Sequence, residues 1–563
     1  MSCPLLDPPD AADRQALALP ALKEGARYLD QGDVGAAAVA FAAAHQAAPQ
    51  WATPLVALAR AWRLSGDLVR AEAMLRQALD CDGADVDALN NLAGMLSARG
   101  ALAEAIDLYQ KACDVRPNDP AVQTHLIAAL LRARRSDEAR SAAEAWTRAT
   151  PDSAIAWIML CDLLVRARKF DAAVAAGRVA VASGADSPAA WTALSRALNG
   201  LGEAFEARSA AQRGLWLRGD DPGARMALAQ ALISCGLPRE GMALAQAVRA
   251  ERPNAEADQA IAHARFLLGD MAGGWADLEV AARGAARPAG AAQRWQGEDL
   301  AGRTIAVRCD QSLSDAVHFA RYARRLADRG AQVALIAPPE LAMLNVDLGS
   351  GIEMADAQAL HRADFWAPVL AIPALLGEPI VAMEAAYLGA PLGRLAPPPL
   401  RAPARGKRIG LVWDAGPREG IDANRALPFE RVLTLAGVAG TELYGLQTGP
   451  SARAIGAHGA LGLVTDLSSD IGDWGDLAAA IAALDLVISV DSATAHLAAA
   501  MAKPVWLLTP FAPDWRWGLG SDVSAWYPTV RFYRQTEPRN WTAPIARART
   551  DLTIFALTGR APT

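Results

Sequence analysis

The residues best suited to chemistry lie in LDLVISVDSATAHLAAAMAKPVWLLTP, residues 484–510. An apolar strand there is predicted to end at Asp491, Ser492 is a favourable N-cap, and a helix should run from Ala493 to Ala502. The first amides of such a helix, including those of Ala493 and Thr494, have no partner within the helix and carry the positive end of its dipole. The pattern therefore favours a bound phosphate at this helix N-terminus.

His496 lies one turn into the same helix, on a face that can reach the same ligand. An equally balanced alternative is an ordinary strand–helix unit, in which Ser492 only caps the helix and His496 only packs. The spacing alone does not decide between these two interpretations.

A second candidate is Asp315, which follows the predicted strand Thr304–Arg308 by a short loop, with His318 about one helical turn further on. A carboxylate at the cleft end of a strand can act as a general base. Its alternative role is to stabilise the N-terminus of the next helix through the helix dipole.

Strands and helices alternate around both groups of residues, which indicates parallel sheets. The first run has a helix from about Ser314 to Arg329 and a strand at Gln332–Ile336. After the Pro-rich linker 396–406, the second run has strands at Arg408–Trp413, Glu442–Gln447, Leu486–Val490 and Val505–Thr509, with helices near 428–437, 474–484 and 493–502. Two such runs predict two facing Rossmann-like domains that bind ligands at the carboxyl ends of their strands.

The first half of the chain is organised by a step of 34 residues. Turn positions recur at Gly32, Gly66, Gly100, Arg134, Arg168, Gly202 and Gly236, and at Gly269 one residue early. A small residue follows five positions later and a helix breaker, in most copies, seventeen positions later. This period is typical of tetratricopeptide repeats, an α-solenoid that binds other proteins in a concave groove. Units should begin near residues 18, 52, 86, 120, 154, 188, 222 and 256.

Composition argues against several functions. The net charge of −6 argues against a nucleic-acid partner, and seven histidines and six scattered cysteines argue against a metal centre or a disulfide framework. Two DxD spacings, Asp80–Asp82 and Asp85–Asp87, fall in a repeat connection, where Asp caps helices. Because the sequence has no signal-like start and no apolar run of about 18 residues, we expect a cytoplasmic protein without membrane insertion.

Several separated motifs then carry a resemblance. Residues 491–505 resemble the donor-site motif of the ADP-heptose transferase family, and the run 513–535 resembles bacterial proteins that fuse tetratricopeptide repeats to a GT-B glycosyltransferase domain. The other matching motifs are WQG (295–297), GLVW (410–413), Arg425, the LQ pair 446–447, DWRW (514–517), WYP (526–528) and RQ (534–535). The architecture is also similar to that of flagellin glycosyltransferases of stalked and related bacteria.

The resemblance implies an α-solenoid followed by a GT-B fold. The expected limits are an N-terminal extension (1–17), the repeat array (18–288), the N-terminal Rossmann-like half (289–400), and the C-terminal half with the donor site (401–563). It also implies a metal-independent glycosyltransferase that needs no cofactor beyond a nucleotide-activated sugar as co-substrate. The acceptor would be flagellin held by the array, and the sugar a nonulosonic acid such as pseudaminic acid, transferred from a CMP-activated donor onto Ser or Thr.

The expected roles follow from this. Donor binding is assigned to Arg425, Gln447, Asp491, Ser492, Ala493, Thr494, His496 and Lys503. Asp315 is the expected base, since it aligns with the acidic residue that ends the corresponding family loop, and His318 is the alternative. No metal ligands are expected.

The sequence also departs from the family. Its first loop reads Asp310-Gln311-Ser312-Leu313-Ser314-Asp315, with serines in place of two glycines, and only Arg425 keeps its charge in the later basic motif. The smaller number of cationic residues suits a CMP-activated sugar, which has one phosphate. Two other functions stay open. One is an O-GlcNAc-transferase-like enzyme with a UDP-sugar donor, and the other is a non-catalytic scaffold with a decayed transferase domain. A transferase acting on a glycolipid is disfavoured, because such an enzyme needs no protein-binding array.

Overall fold

The computed structural model describes residues 11–282, 290–309, 312–382, 385–415 and 425–560. The chain divides into two compact units, Met1–Leu194 and Ser195–Thr563. The division falls inside the predicted repeat array, so the last repeats group with the α/β part. The linker 283–289, the loop residues Asp310 and Gln311, and the segment 416–424 lie outside the described residues.

Helical hairpins form the first unit and continue into the second. The helices are α1 (Ala11–Asp30), α2 (Val34–Ala47), α3 (Ala52–Leu64), α4 (Leu68–Cys81), α5 (Val86–Ala98), α6 (Leu102–Val115), α7 (Pro120–Arg132), α8 (Ser136–Ala149), α9 (Ala154–Arg166), α10 (Phe170–Ser183), α11 (Pro188–Leu201), α12 (Ala204–Leu217), α13 (Pro222–Ser234), α14 (Pro238–Glu251), α15 (Ala255–Leu267) and α16 (Met271–Ala282). From α3 onward the first helix of each hairpin begins within one residue of its predicted position. The first hairpin begins earlier than predicted, because α1 starts at Ala11.

The predicted turn positions share one backbone conformation. All eight have positive φ, between +59° at Arg134 and Arg168 and +91° at Gly100. The small residues five positions later are buried where two helices touch. Ala37, Ala71, Ala105, Ala139, Ala173 and Ala207 are fully buried, and a Cβ at Gly241 would lie 2.5 Å from the carbonyl oxygen of Ala229. The 34-residue period is therefore confirmed as a repeated helix–turn–helix unit.

Side-chain caps explain where the helices begin. Asp85 accepts a hydrogen bond from the amide of Ala88 at 2.8 Å, and equivalent caps are Asp33, Asp67, Asp119, Ser153, Asp221 and Asn254. Asp82 similarly accepts from the amide of Ala84 at 3.0 Å. Such caps satisfy amides that a helix leaves unpaired. Asp82 and Asp85 of the two DxD spacings thus accept hydrogen bonds from nearby backbone amides in the connection between two helices.

The rest of the second unit contains two parallel sheets. The first has the order β1-β6-β2-β3-β5 and the second the order β10-β9-β8-β11-β12-β13, with a small antiparallel pair β4–β7. The strands are β1 (Gln293–Arg294), β2 (Thr304–Arg308), β3 (Gln332–Ile336), β4 (Asn345–Val346), β5 (Ile352–Met354), β6 (Phe365–Pro368), β7 (Leu388–Gly389), β8 (Lys407–Val412), β9 (Thr441–Gly445), β10 (Val464–Asp466), β11 (Leu486–Val490), β12 (Val505–Thr509) and β13 (Val530–Arg534).

Helices cover both sheets. They are α17 (Leu313–Phe319), α18 (Arg321–Ala327), α19 (Pro339–Ala342), α20 (Ala359–Arg362), α21 (Ile372–Leu376), α22 (Pro398–Arg401), α23 (Phe429–Val432), α24 (Ala454–Ala457), α25 (Trp474–Ala482), α26 (Ala493–Ala500) and α27 (Thr542–Thr558). The single helix predicted over 314–329 is two helices that meet at Ala320. The remaining strand and helix predictions hold to within a few residues, so an α-solenoid followed by an α/β part is confirmed.

The last repeats pack on the α/β part through aromatic side chains. Phe266 of α15 stacks on Trp515 with ring centroids 4.4 Å apart, and Trp275 of α16 meets Phe319 edge-on at 5.7 Å. The indole of Trp275 also donates to the carbonyl oxygen of Pro379 at 2.8 Å. These contacts explain why residues after Ser195 form one compact unit.

Candidate active site

The two sheets bring their points of strand reversal to the same region. In the second sheet the order reverses between β8 and β11, and α26 begins directly after β11. In the first sheet it reverses between β2 and β6, and α17 follows β2 by a short loop. Helices α17 and α26 pack against each other. Because ligands of parallel sheets bind at such reversals, this is the candidate active site.

A chain of alternating charges crosses this region. Asp315 pairs with Arg516, whose Nη1 donates to Oδ1 of Asp514 at 2.8 Å. Oδ2 of Asp514 lies 3.4 Å from Nη2 of Arg425, and Nη1 of Arg425 lies 3.0 Å from Oδ2 of Asp491. We call these five residues the charged chain. It contains three carboxylates and two guanidinium groups, and it links the predicted base to the predicted donor helix.

The start of α26 has the predicted geometry. Ser492 has extended backbone angles, and its Oγ accepts from the amide of Ala495 at 3.1 Å, so it is the N-cap. A second hydroxyl, Oγ of Ser489, lies 3.0 Å from Oγ of Ser492 and fixes its position. Ala493 and Thr494 form the first turn and are half-buried. This first turn leaves backbone amides available to an anion.

His496 is buried beneath this turn. Its Nδ1 lies 3.2 Å from the hydroxyl of Tyr527, its Nε2 lies 3.9 Å from Oδ1 of Asp491, and its ring stacks on Trp517 at 5.0 Å. Burial lowers the pKa of His496 to about 4, against an opposing effect of Asp491. His496 is therefore a neutral imidazole at neutral pH. Its contacts are packing contacts, as in the alternative interpretation of the sequence.

His318 lies deeper than Asp315. Its ring is fully buried, 5.3 Å from the ring of His496 and 4.7 Å from that of Trp526. Neither ring nitrogen has a hydrogen-bond partner among the described residues. Burial, with the nearby charge of Arg321, holds the pKa of His318 well below its usual value. Both features reduce its suitability as a base, since it neither faces an open surface nor takes up protons readily.

Asp315 makes the contacts of a residue at a helix N-terminus, which is the alternative role considered from the sequence. It lies in the first turn of α17, where its amide donates to Oγ of Ser312 at 3.0 Å and its Oδ2 accepts from the same hydroxyl at 2.7 Å. Ser312 replaces a family glycine, and it now acts as the N-cap of α17. The second carboxylate oxygen of Asp315 is the one paired with Arg516.

Two predicted donor residues have structural contacts. Oε1 of Gln447 accepts from the amides of Trp413 and Asp414 at 3.2 and 3.0 Å, so Gln447 ties the end of β8 to the loop after β9. Nζ of Lys503 donates to the carbonyl oxygens of Ala482 and Leu484 at 2.6 and 2.9 Å. Lys503 follows the C-terminal end of α26, opposite the cap at Ser492. The structure therefore does not bring Lys503 together with the other predicted donor residues.

Other residues of the site were not assigned a role from the sequence. Arg516 and Asp514 belong to the DWRW motif, and Tyr527 belongs to the WYP motif. The motifs therefore pointed to these residues, but they did not show that Arg516 pairs with Asp315. Arg321 was not singled out. It is buried and donates to the carbonyl oxygens of His318, Val381 and Trp526 at 2.7, 3.2 and 2.8 Å. Within the described ranges, no group of three His, Cys, Asp or Glu side chains is arranged to hold a metal ion, and no helix is long and apolar enough to span a membrane.

Comparison with known families finds matches in both halves. Residues 57–120 and 96–164 match tetratricopeptide repeat families, and residues 473–512 match glycosyltransferase family 9 (heptosyltransferase). Protein FlbA of Caulobacter vibrioides is 27% identical over 301 residues, which cover 47% of this chain and 48% of that protein. The chain thus spans about half the length of this curated relative.

Solved structures also align. A tetratricopeptide repeat protein from Parabacteroides merdae has a TM-score of 0.37 at 16% identity, over 42% of this chain and 94% of its own. PilF of Pseudomonas aeruginosa has a TM-score of 0.32 at 20% identity, over 38% of this chain and 96% of its own. The family 9 segment contains the start of α26. The chain therefore has tetratricopeptide repeats in its first half and, within its α/β part, a segment that is similar to glycosyltransferase family 9.

Proposed function

We propose that this protein is an O-glycosyltransferase that transfers a sugar from a nucleotide-activated donor to Ser or Thr residues of flagellin. The observation that carries the proposal is that the family 9 segment contains Ser492 and α26, which lie at the strand reversal of one sheet and pack against α17, the helix of Asp315. Flagellin as acceptor and a nonulosonic acid such as pseudaminic acid as sugar rest on the resemblance to flagellin glycosyltransferases.

The donor phosphate would bind at the first turn of α26. Dipole effects at a helix end contribute about 0.3–1 kcal/mol when exposed and up to about 2 kcal/mol when partly buried. Arg425 would add a charge-assisted hydrogen bond. Since Arg425 already contacts Asp491 and Asp514, little unopposed positive charge remains. This favours a CMP-activated sugar, which has one phosphate, over a nucleotide diphosphate sugar.

Asp315 would accept the proton of the acceptor hydroxyl. In the transfer, the hydroxyl oxygen forms a bond to the anomeric carbon, the bond from that carbon to the phosphate oxygen breaks, and CMP leaves with the bonding electrons. An ion-paired carboxylate is a weaker base than a free one. The proposal therefore includes a step in which the guanidinium of Arg516 moves from Asp315 to the donor phosphate.

The repeats would capture the acceptor, since arrays of this kind present extended binding surfaces to other proteins. The non-catalytic scaffold remains the second candidate, and the pairing of both cations of the charged chain with carboxylates favours it. Binding of CMP without transfer by the full-length protein would support that alternative.

Intact-mass analysis of flagellin tests the proposal. Cells that lack the gene are complemented with the full-length wild type, with Asp315→Asn, or with Asp328→Asn, an exposed aspartate of the same half. Wild type and Asp328→Asn should restore an added mass equal to the sugar, and Asp315→Asn should not. An unchanged flagellin mass with and without the gene would contradict the proposed acceptor.

A further inference from the structure

A cavity of about 360 Å³ lies within the second unit, beside the carboxyl ends of β12 and β13. This volume falls in the usual range for ligand pockets, roughly 300–1,000 Å³. One wall comes from the last repeats and the other from the loops after β12 and β13. Its lining residues include Phe205, Ile233, Leu267, Phe511, Ala512 and Trp515.

Part of the cavity wall is apolar and aromatic. The rings of Phe205 and Phe511 contact each other where the two walls meet, with centroids 6.4 Å apart and planes tilted by 41°. Trp515 is held in place by stacking on Phe266. Gln535 joins the two loops of the α/β wall, since its Oε1 accepts from the amides of Phe511 and Arg539 at 3.1 Å each. Both walls are thus fixed by packing and hydrogen bonds.

Polar groups lie at three places around this apolar part. Arg425 and Asp514 of the charged chain line the cavity, so it is continuous with the candidate active site. Glu203 and Arg539 form an ion pair across the two walls. His263 of α15 is exposed and also lines the cavity, where a neutral imidazole can both donate and accept a hydrogen bond.

We propose that this cavity binds the acceptor chain during transfer, as an extended segment that packs one aromatic or branched aliphatic side chain against the Phe205–Phe511 pair. The neighbouring Ser or Thr would then lie towards Arg425 and the charged chain. The inference rests on the proposed function and adds the position and the side-chain preference of the acceptor.

The position of the cavity favours an acceptor over the donor. The predicted phosphate site lies at the reversal between β8 and β11, whereas the cavity is lined by the loops that follow β12 and β13. A wall built from repeats also suits a protein acceptor, because repeat arrays present extended binding surfaces. Buried aromatic anchors contribute most to such binding.

Photo-cross-linking of a defined peptide tests the site without depending on flagellin. The probe is a capped heptapeptide of alanine and glycine that carries one serine beside one benzoylphenylalanine, mixed with the full-length protein. Adducts should map to 203–206, 233–236 or 510–515, and saturating CMP should leave them in place. Adducts at other residues would overturn the assignment. Adducts in the cavity that disappear with CMP would also overturn it, because they would show that the cavity binds the donor.

Two variants make the test specific. Ala512→Trp fills the cavity and should lower the adduct yield and raise the KM for flagellin by about tenfold or more, with CMP affinity unchanged. Phe205→Ala, which removes a ring that is 42% exposed, should act in the same direction and covers the case in which the first variant misfolds. Leu557→Trp on α27, at an 82% exposed position, should change neither.

The two hypotheses fail in different ways. If wild type cross-links the peptide in the cavity but adds no mass to flagellin, the proposed acceptor is wrong and the cavity still binds peptide. If wild type modifies flagellin and both cavity variants keep a normal KM, the cavity is not the acceptor site.

Discussion

Asp315 and Arg516 form an ion pair that joins α17, which follows the first sheet, to the loop after β12 of the second sheet. Through Asp514 and Arg425 the pair connects to Asp491, which ends β11 in front of the capped helix α26. A substitution at Asp315 should therefore affect both the reaction and the orientation of Arg516.

Asp315→Asn should lower turnover by about 10²-fold or more, because the amide keeps size and hydrogen bonding but cannot act as a base. The KM for the donor should change little. Steady-state transfer to flagellin measures both, with Asp328→Asn as the exposed control. Near-normal turnover of Asp315→Asn would instead leave Asp315 as a residue that only orients Arg516.

His496→Ala should weaken donor binding or turnover at limiting donor while acceptor capture stays intact. His318→Ala should mainly reduce stability, because His318 is fully buried and its pKa is held low. Calorimetric binding of CMP and transfer assays compare the two variants. A loss of turnover in His318→Ala with Asp315→Asn near normal would move the role of base to His318.

Acid should destabilise the second unit through its buried imidazoles. His496 has a folded-state pKa of about 4, below the unfolded value of about 6.5. Between these values the unfolded state binds more protons, so the free energy of unfolding falls as pH falls, by up to about 1.4 kcal/mol per pH unit for each such group. Unfolding midpoints from pH 7 to pH 4 measure this.

His496→Gln should flatten that dependence. His458→Gln is the control of opposite sign, because hydrogen bonding to Glu430 raises the pKa of this exposed histidine. Removing His458 should therefore not reduce the fall in the free energy of unfolding between pH 7 and pH 4. An equal slope in wild type and His496→Gln would mean that the folded His496 titrates as in the unfolded chain.

The repeat turns give a stability prediction that is independent of function. Arg134 has φ of +59° at a position where most copies have glycine. Arg134→Gly should stabilise α7 and α8 by about 0.5–1 kcal/mol, because the left-handed region costs a residue with a Cβ energy that glycine avoids. Native-state hydrogen exchange in the two helices measures it.

Two matched variants check the reason. Gly100→Ala, at φ of +91° with open space for the new Cβ, should destabilise its hairpin by about 1 kcal/mol. Ala133→Gly, one residue before Arg134 and at φ of −77°, should also destabilise. Stabilisation by Ala133→Gly as well would show that the effect comes from glycine in general and not from positive φ.

Local patterns were predictable from the sequence, and long-range partners were not. The 34-residue period located every turn, including Arg134 and Arg168, since spacing alone defines a repeat. The grouping of the last repeats with the α/β part depends on contacts such as that between Trp275 and Phe319, which periodicity does not contain. A fragment ending near residue 285 would expose Phe266 and Trp275, so the end of the period is a poor point to divide the chain.

The candidate site shows the same contrast. The strand, cap and helix around Ser492 follow from local sequence, and all three were predicted. Lys503 was assigned to the donor site because it follows the motif, yet one helix separates it from Ser492, and its ammonium caps carbonyl groups. Arg516 was quoted in a motif, but its pairing with Asp315 arises only when the two sheets meet.

Arg321 gives the last prediction. Its guanidinium donates to carbonyl groups of Val381 and Trp526 and to the hydroxyl of Tyr387 at 3.2, 2.8 and 3.1 Å. Among the described residues no carboxylate forms an ion pair with it. The buried charge is therefore stabilised by these hydrogen bonds and by the ring of Tyr527, whose centroid lies 4.3 Å from the guanidinium carbon. These contacts join α18 to the WYP segment beside His496.

Arg321→Met should keep most of the packing volume but leave these buried carbonyl groups without a donor. We expect a loss of about 3 kcal/mol, since each unsatisfied buried group costs about 1–3 kcal/mol. The unfolding of the full-length protein measures it, and Arg324→Met, an exposed position of the same helix, should change stability by less than about 0.5 kcal/mol. If both variants unfold alike, Arg321 does not hold the two halves together. A stable Arg321→Met with a lower kcat and an unchanged donor KM would instead assign Arg321 to positioning the site.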